Sequence, residues 1–181
     1  MALSPDKPDR LTVLLSRHEI AARVAEMGAQ ISRDFAGEDL ILVGVLKGSV
    51  IFLSDLARSI SLSATLDFMA AGSYGPHKES SGTVQLTKDL EHPITGKNVI
   101  LVEDILDTGR TAHFLLSMLR SRDPKTLRFA TLLDKPGRRA KTVSADYVGF
   151  TIPDRFVVGY GLDVGEKYRN LPDICVFSDG S

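Results

Sequence analysis

Residues 99–112 (VILVEDILDTGRTA) constrain the fold of this chain more than any other segment. They open with a continuous apolar run rich in β-branched residues, which predicts a strand buried on both faces. Strands of this kind occur almost only in parallel sheets that carry helices on both sides. Three carboxylates follow, at Glu103, Asp104 and Asp107, and then a turn rich in small and hydroxyl residues leads into an apolar helix. The segment therefore predicts a strand–turn–helix unit of a parallel α/β sheet.

The turn at residues 108–111 has the composition of an anion site. Small and hydroxyl residues before a helix let backbone N–H groups converge on an anion, and the helix dipole assists them. Carboxylates beside a bound phosphate would repel it, so Glu103 and Asp104 make sense as partners of sugar hydroxyls or of a divalent cation. The segment therefore predicts a ligand that carries phosphate, ribose hydroxyls and Mg²⁺.

Apolar strands alternate with helices along the rest of the chain. Ser16 and Glu19 have the spacing of a capping box, which predicts a helix over residues 17–35. Two further helices are predicted over 50–60 and 111–122. The predicted strands are 12–15, 40–46, 65–71, 83–87, 99–103, 129–133, 147–152, 157–160 and 174–177. This alternation predicts a twisted, parallel α/β sheet flanked by helices, with right-handed crossovers.

The length of 181 residues and the 43% share of hydrophobic residues suit one domain with a sizeable core. We expect a core over residues 36–150 and a small irregular hood from the N-terminal segment and residues 151–181. The net charge of −1 gives no reason to expect nucleic acid or an anionic membrane as a partner. The one cysteine, Cys175, fits a reducing compartment, and no apolar run reaches the ~20 residues of a membrane span. We therefore expect a cytoplasmic protein.

Two further polar clusters directly follow predicted strands. Lys47 and Gly48 come after the second strand, and Asp134 and Lys135 come after the sixth. Because ligands of open parallel sheets bind beyond the carboxyl ends of the strands, we expect both clusters to lie beside residues 103–111. P-loop, zinc-protease and clustered cysteine–histidine motifs are missing from the sequence. Oxygen ligands would therefore hold any metal, which suits Mg²⁺ shared with substrate phosphates.

Five segments together resemble the hypoxanthine/guanine type of phosphoribosyltransferase. Residues 99–112 look like the family's phosphoribosyl-diphosphate motif, with an apolar strand, an acidic pair and then D-T-G-x-T. Residues 45–49 resemble its diphosphate-binding turn, and residues 133–136 resemble its purine-binding strand end. Residues 152–163 and 168–170 resemble its base-covering hood. The resemblance implies a type I phosphoribosyltransferase fold, Mg²⁺ as cofactor, a homodimer or homotetramer, and transfer of a phosphoribosyl group from phosphoribosyl diphosphate to hypoxanthine or guanine.

The resemblance also implies a role for each site residue. Glu103 and Asp104 would hold the ribose hydroxyls and Mg²⁺, and Asp107 would be the catalytic base beside purine N7. Lys135 would face purine position 6, where an ammonium can donate but cannot accept. The implied substrate-binding residues are Lys47, Gly48, Ser73, Tyr74, Glu103, Asp104, Asp107, Thr108, Gly109, Arg110, Thr111, Lys135, Phe156, Val157, Asp163 and Arg169. The implied Mg²⁺ ligands are Glu103, Asp104 and Asp163.

Several of these residues also have a plainer interpretation. Asp107 could serve only as a helix-entry residue favoured by the dipole, and Lys47 could be a surface lysine in a turn. Phe156 could be a buried aromatic of the hood core, and Arg169 could belong to a solvated face. Residues 72–82 have the glycine-rich composition of a lid over the diphosphate, or of a surface loop without a role.

A regulatory protein that senses nucleotides on the same fold is the alternative function. An RNA-binding regulator would be expected to present a basic face, and the dispersed basic residues of this chain do not predict one. The sequence therefore favours an enzyme that acts on small molecules.

Overall fold

The computed structural model describes residues 11–73 and 84–177. The strands are β1 Leu11–Leu15, β2 Leu40–Leu46, β3 Ala64–Ser73, β4 Val84–Lys88, β5 Asn98–Leu106, β6 Thr126–Asp134, β7 Tyr147–Thr151, β8 Val157–Val158 and β9 Ile174–Phe177. The helices are α1 Arg17–Asp34, α2 Val50–Ser59 and α3 Arg110–Arg120, and a 3₁₀ turn spans Pro136–Arg138. All nine predicted strands and all three predicted helices have a counterpart among these elements.

Two sheets are present within the described ranges. The larger has the strand order β4-β3-β2-β5-β6-β7 and is parallel apart from the antiparallel edge strand β4. The smaller is antiparallel and has the order β1-β9-β8, so the first strand pairs with the last. Helices α1 and α2 pack on one face of the larger sheet, and α3 packs on the other. The predicted α/β class with a parallel sheet flanked by helices is confirmed, except that the edge strand β4 is antiparallel.

Local sequence signals explain the position of α1. The predicted capping box is present, because Ser16 Oγ accepts from the backbone N–H of Glu19 while Glu19 Oε2 accepts from the backbone N–H of Ser16 at 2.9 Å. The buried side chains Ile20, Val24 and Met27 recur at helical spacing along one face. This face packs with α2 against one side of the larger sheet.

Strand β5 is longer than the sequence predicted. Its parallel pairing with β6 continues to the register pair Leu106–Asp134, so the strand ends at Leu106 rather than at residue 103. Glu103, predicted as the last residue of the strand, and Asp104, predicted to follow it, consequently both lie inside it. Acidic residues after an apolar run look like the end of a strand in a sequence, but the backbone N–H and C=O groups of aspartate and glutamate can pair in a sheet like those of other residues.

Strand β8 is shorter than predicted and ends at Val158. The next three residues, Gly159, Tyr160 and Gly161, have φ angles of 97°, 51° and 102°, which extended strands do not allow. The chain turns there toward the larger sheet. No helix in the described part of the chain is long and apolar enough to span a membrane.

Candidate active site

A cleft of about 280 Å³ opens at the carboxyl edge of the larger sheet. It lies where the turns after β2 and β5 face each other, as the sequence predicted for an open parallel sheet. Its lining residues are Val45, Leu46, Gly48, Ala71, Glu103, Asp104, Ile105, Leu106, Asp107, Thr108, Gly109, Thr111 and Ala112. Six of the site residues that were predicted between positions 103 and 111 therefore line the same cleft as Gly48.

Glu103 and Asp104 carry the unusual electrostatics of this cleft. Glu103 is 5% exposed, and burial together with the charge of Asp104 raises the pKa of Glu103 from 4.5 to about 8. Loss of water around Asp104 raises its pKa from 3.8 to about 6, although the N–H of Ile105 and the charge of Arg169 act in the opposite direction. A cation and sugar hydroxyls are the ligands that such a carboxylate pair would accept.

The donor set fits Mg²⁺. Glu103 and Asp104 supply hard carboxylate oxygens. Burial and the charge of Asp104 both disfavour the ionised form of Glu103, which a bound cation would favour. The described residues contain no cluster of three or more metal-ligating side chains. Mg²⁺ would therefore be held by few protein ligands and would take the others from substrate and water.

The phosphate turn, which we define as residues 107–111, joins β5 to α3. Gly109 is the N-cap residue of α3 and has φ +77°, a left-handed conformation that favours glycine. A Cβ at Gly109 would also lie 3.1 Å from the carbonyl oxygen of Lys141. The turn thus presents backbone N–H groups at a helix N-terminus, as an anion site requires.

Asp107 lies at the start of the phosphate turn with one oxygen unsatisfied. Its Oδ1 is buried and accepts no hydrogen bond from the residues that the structure describes. The nearest cation is Arg138, whose Nε lies 3.8 Å from Oδ1. An unsatisfied carboxylate oxygen at the cleft can accept a hydrogen bond from a ligand N–H.

Gly48 is the point at which the turn after β2 meets β5 and the C-terminal loop. A Cβ on Gly48 would overlap the carboxylate of Asp104, so only glycine fits beside that side chain. A Cβ on Gly161 would overlap the carbonyl oxygen of Gly48 in turn. The peptide bond between Leu46 and Lys47, at the start of this turn, is cis.

Lys47 and Arg169 share a carboxylate at the mouth of the cleft. Lys47 Nζ lies 2.9 Å from Glu166 Oε2, and Arg169 Nη2 lies 3.4 Å from Glu166 Oε1. Arg169 also pairs with Asp163 at 2.8 Å and donates to the carbonyl of Gly161. Since its side chain is only 26% exposed, Arg169 does not belong to a solvated face. Two cations therefore lie close together around the Glu166 carboxylate.

The loop after β6 contacts the segment that leads into β8. Lys135 is 5% exposed, and its Nζ donates to the carbonyl of Arg155 at 3.0 Å and pairs with Asp154 at 3.1 Å. Phe156 is 60% exposed, and its ring lies 6.0 Å from that of Phe177. The interpretation of Phe156 as a buried hood residue is therefore wrong, and its ring is available to a ligand.

Comparison with known proteins identifies the family. The sequence of residues 11–164 matches the family model of the phosphoribosyl transferase domain. The chain belongs to the phosphoribosyltransferase family. The hypoxanthine phosphoribosyltransferase of Escherichia coli (strain K12) is 46% identical over 164 residues, which cover 90% of this chain and 92% of that protein. The hypoxanthine-guanine phosphoribosyltransferase of Mycobacterium avium is 48% identical, with 94% of this chain and 90% of that protein covered.

Solved structures of relatives share the fold. A crystal structure of a hypoxanthine-guanine phosphoribosyltransferase from Bacillus anthracis is 50% identical, covers 94% of this chain and all of that chain, and superposes with a TM-score of 0.88. A hypoxanthine phosphoribosyltransferase structure from Staphylococcus aureus is 47% identical and also has a TM-score of 0.88, with 92% of this chain and 91% of that chain covered.

Some residues of this phosphoribosyltransferase were predicted but cannot be placed, and others were missed. The backbone of Ser73 ends β3, but its side chain lies outside the described residues, as do Tyr74 and most of the expected lid at 72–82. The sequence reasoning missed Arg139 and Glu166. Arg139 lies in residues 135–141, the densest run of basic residues in the chain, and this run could have drawn attention to it. Glu166 lies in a charged stretch without a pattern.

Proposed function

We propose that this phosphoribosyltransferase transfers the 5-phosphoribosyl group from 5-phospho-α-D-ribose 1-diphosphate to hypoxanthine or guanine. The products are IMP or GMP and diphosphate, which is a purine-salvage reaction. The relatives named for hypoxanthine and guanine support this substrate class. The observation that carries the proposal is Lys135, a nearly buried ammonium that donates to the carbonyl of Arg155, the residue before the exposed Phe156.

Lys135 accounts for the choice of base. An ammonium has three donors and no acceptor, so in a site shielded from water it suits a carbonyl oxygen and leaves an amino group unpaired. Its present partners are the backbone carbonyl of Arg155 and the carboxylate of Asp154. The 6-oxo group of a purine offers the same chemistry. We propose that Phe156 stacks on the base and that the backbone of Val157 reads its edge.

The carboxylates of β5 and the phosphate turn account for the sugar. In this proposal Glu103 and Asp104 hold the ribose hydroxyls, with Asp163 they face Mg²⁺, and the turn binds the 5′-phosphate through Thr108–Thr111. Mg²⁺, when bound, neutralises charge on the diphosphate. Most of the rate enhancement would come from positioning and electrostatics, because the ribosyl centre passes through an oxocarbenium-like state that needs no covalent nucleophile.

Separate residues neutralise the charge of the leaving diphosphate and accept the proton of the base. Lys47 with Gly48, and Arg169, bind the leaving diphosphate at the mouth of the cleft. Asp107 accepts the proton of purine N7, for which its unsatisfied Oδ1 is suited. Ser73 and Tyr74 complete the proposed diphosphate subsite.

We further propose a single domain with a core over residues 36–150 and a hood from the N-terminal segment and residues 151–181. A homodimer or homotetramer in the cytoplasm is the expected setting, since Cys175 is a free thiol that suits a reducing compartment.

A substrate panel tests the function. The protein is mixed with Mg²⁺, phosphoribosyl diphosphate and one of hypoxanthine, guanine, xanthine, adenine or orotate, and mononucleotide is measured. We expect product with hypoxanthine or guanine and kcat/KM for adenine lower by several orders of magnitude. Comparable use of adenine or orotate would contradict the proposal. Binding of phosphoribosyl diphosphate without turnover of any base would favour the regulatory alternative.

A further inference from the structure

The guanidinium group of Arg139 joins the ends of two neighbouring strands. Its Nη1 donates to the carbonyl oxygen of Leu106 at 3.1 Å and to that of Asp107 at 2.8 Å. Its Nη2 forms an ion pair with the carboxylate of Asp134. The side chains of Arg139 and Asp134 are 18% and 20% exposed, so these bonds are largely shielded from water. Because the ladder between the strands ends at Leu106–Asp134, Arg139 continues the connection beyond it.

The residues that follow Arg139 bind the same stretch of backbone. The N–H groups of Ala140 and Lys141 donate to the carbonyl oxygen of Thr108 at 2.8 and 3.2 Å. We call residues 139–141 the brace. The brace donates hydrogen bonds to three consecutive carbonyl groups, those of residues 106–108. These bonds fix the outer side of the phosphate turn.

We propose that Arg139 is a positioning residue for the transfer reaction and that Asp134 holds it in place. Arg139 fixes the backbone that carries the Asp107 carboxylate relative to the base-contacting end of β6. Lys135 directly follows Asp134, so one ion pair sets the distance between the lysine for purine position 6 and the carboxylate for N7. This inference rests on the proposed function, which assigns those two roles.

Arginine suits this task better than lysine. Its planar fork presents N–H groups in fixed directions, so Nη1 can serve two carbonyls while Nη2 serves a carboxylate. A lysine at position 139 would supply the charge but not the two directions. We therefore expect Arg139→Lys to restore part, and not all, of the function that Arg139→Gln removes.

The matched control is Arg128, which lies at the other end of β6. It pairs with Asp146 at 2.7 Å, and Asp146 also accepts from the backbone N–H of Phe129, so this pair likewise ties a side chain to backbone. It lies outside the cleft lining. Arg128→Gln therefore removes the same charge from near the opposite end of β6 without touching the phosphate turn.

The experiment measures kcat and both KM values at equal concentrations of folded protomer. A displacement of about 1 Å in a reacting group lowers rates by roughly 10²-fold, so we expect a kcat loss of this order in Arg139→Gln. The KM for phosphoribosyl diphosphate should rise severalfold. The KM for hypoxanthine should stay within about threefold, because the Lys135 ammonium contacts Asp154 and Arg155 rather than Arg139. Asp134→Asn should shift kcat in the same direction by about tenfold, and Arg128→Gln should match the wild type.

Four outcomes decide the inference. If Arg139→Gln unfolds more easily but keeps the wild-type kcat per folded protomer, the residue is structural and the inference is wrong. The double variant Asp134→Asn/Arg139→Gln should be no slower than Arg139→Gln alone, and additive losses would contradict an anchoring role for Asp134. If Arg139→Gln does not fold, Arg139→Lys and Asp134→Asn are judged by the same kcat criterion. A wild type without product on any base would overturn the proposed function itself, a result distinct from equal rates in wild type and variant.

Discussion

Replacing Glu103 with glutamine should stabilise the free protein, by an amount that grows with pH. The pKa of Glu103 is raised from 4.5 to about 8 by burial and by the charge of Asp104. Between these pH values the folded protein keeps a proton on Glu103 that the unfolded chain has released. Stability therefore falls as pH rises through this window, and a glutamine at position 103 removes the loss.

The magnitude follows from the pKa difference. A displacement from 4.5 to about 8 corresponds to at most about 5 kcal/mol of unfolding free energy above pH 8. Relaxation and entry of water into the open cleft reduce this, because buried sites respond with an effective dielectric constant well above that of dry protein. We expect Glu103→Gln to exceed the wild type by about 1–3 kcal/mol at pH 8 and by little at pH 4.5.

Urea unfolding of the metal-free protein at several pH values, at fixed protomer concentration, measures this difference. Far-ultraviolet circular dichroism is the suitable signal, because the chain has no tryptophan. Glu26→Gln is the control, since Glu26 is an exposed glutamate on α1 whose loss changes the net charge equally. A stability gain that does not vary with pH, or a variant less stable than the wild type at pH 8, would refute the argument.

The remaining predictions concern catalysis. Asp107→Asn should lower kcat by ~10²–10⁴-fold, the usual range for loss of a general base. The KM for phosphoribosyl diphosphate in steady-state assays should change only severalfold, and rates near the wild type would reduce Asp107 to a helix-entry residue. Lys135→Ala should lower kcat/KM for hypoxanthine far more than it changes the KM for phosphoribosyl diphosphate, and unchanged guanine kinetics would contradict the role of Lys135 at position 6. Gly48→Ala should weaken Mg²⁺-dependent binding of phosphoribosyl diphosphate at least tenfold in calorimetry, because its Cβ would overlap the Asp104 carboxylate; unaltered affinity would show that the turn can yield.

Most elements of the fold could be predicted because their signals are local. The capping box of α1 and the apolar run of β5 each specify one conformation without help from distant residues. The end of β5 could not be predicted, because it depends on how far β6 continues beside it. Local pattern therefore gives the type of an element, whereas tertiary pairing sets its limits.

The candidate site likewise has a part that local sequence predicts and a part that depends on tertiary contacts. The carboxylates and the phosphate turn are consecutive in the chain, so their pattern could be recognised in the sequence. Arg139 could not, because it binds backbone carbonyls more than thirty residues earlier, and a carbonyl leaves no residue type to recognise. The exposure of Phe156 likewise depends on how the segment before β8 lies against Phe177.

The position of the acidic pair on β5 has a consequence for motion. β5 is bonded on both sides, by β2 and by β6, and its first six residues are buried. Its amide protons should be among the slowest in the molecule to exchange with solvent, while those of the phosphate turn and of the short strand β8 exchange through smaller openings. Glu103 would thus keep its place during each local opening that admits or releases a ligand, and the flanking turns would move around a fixed reference point.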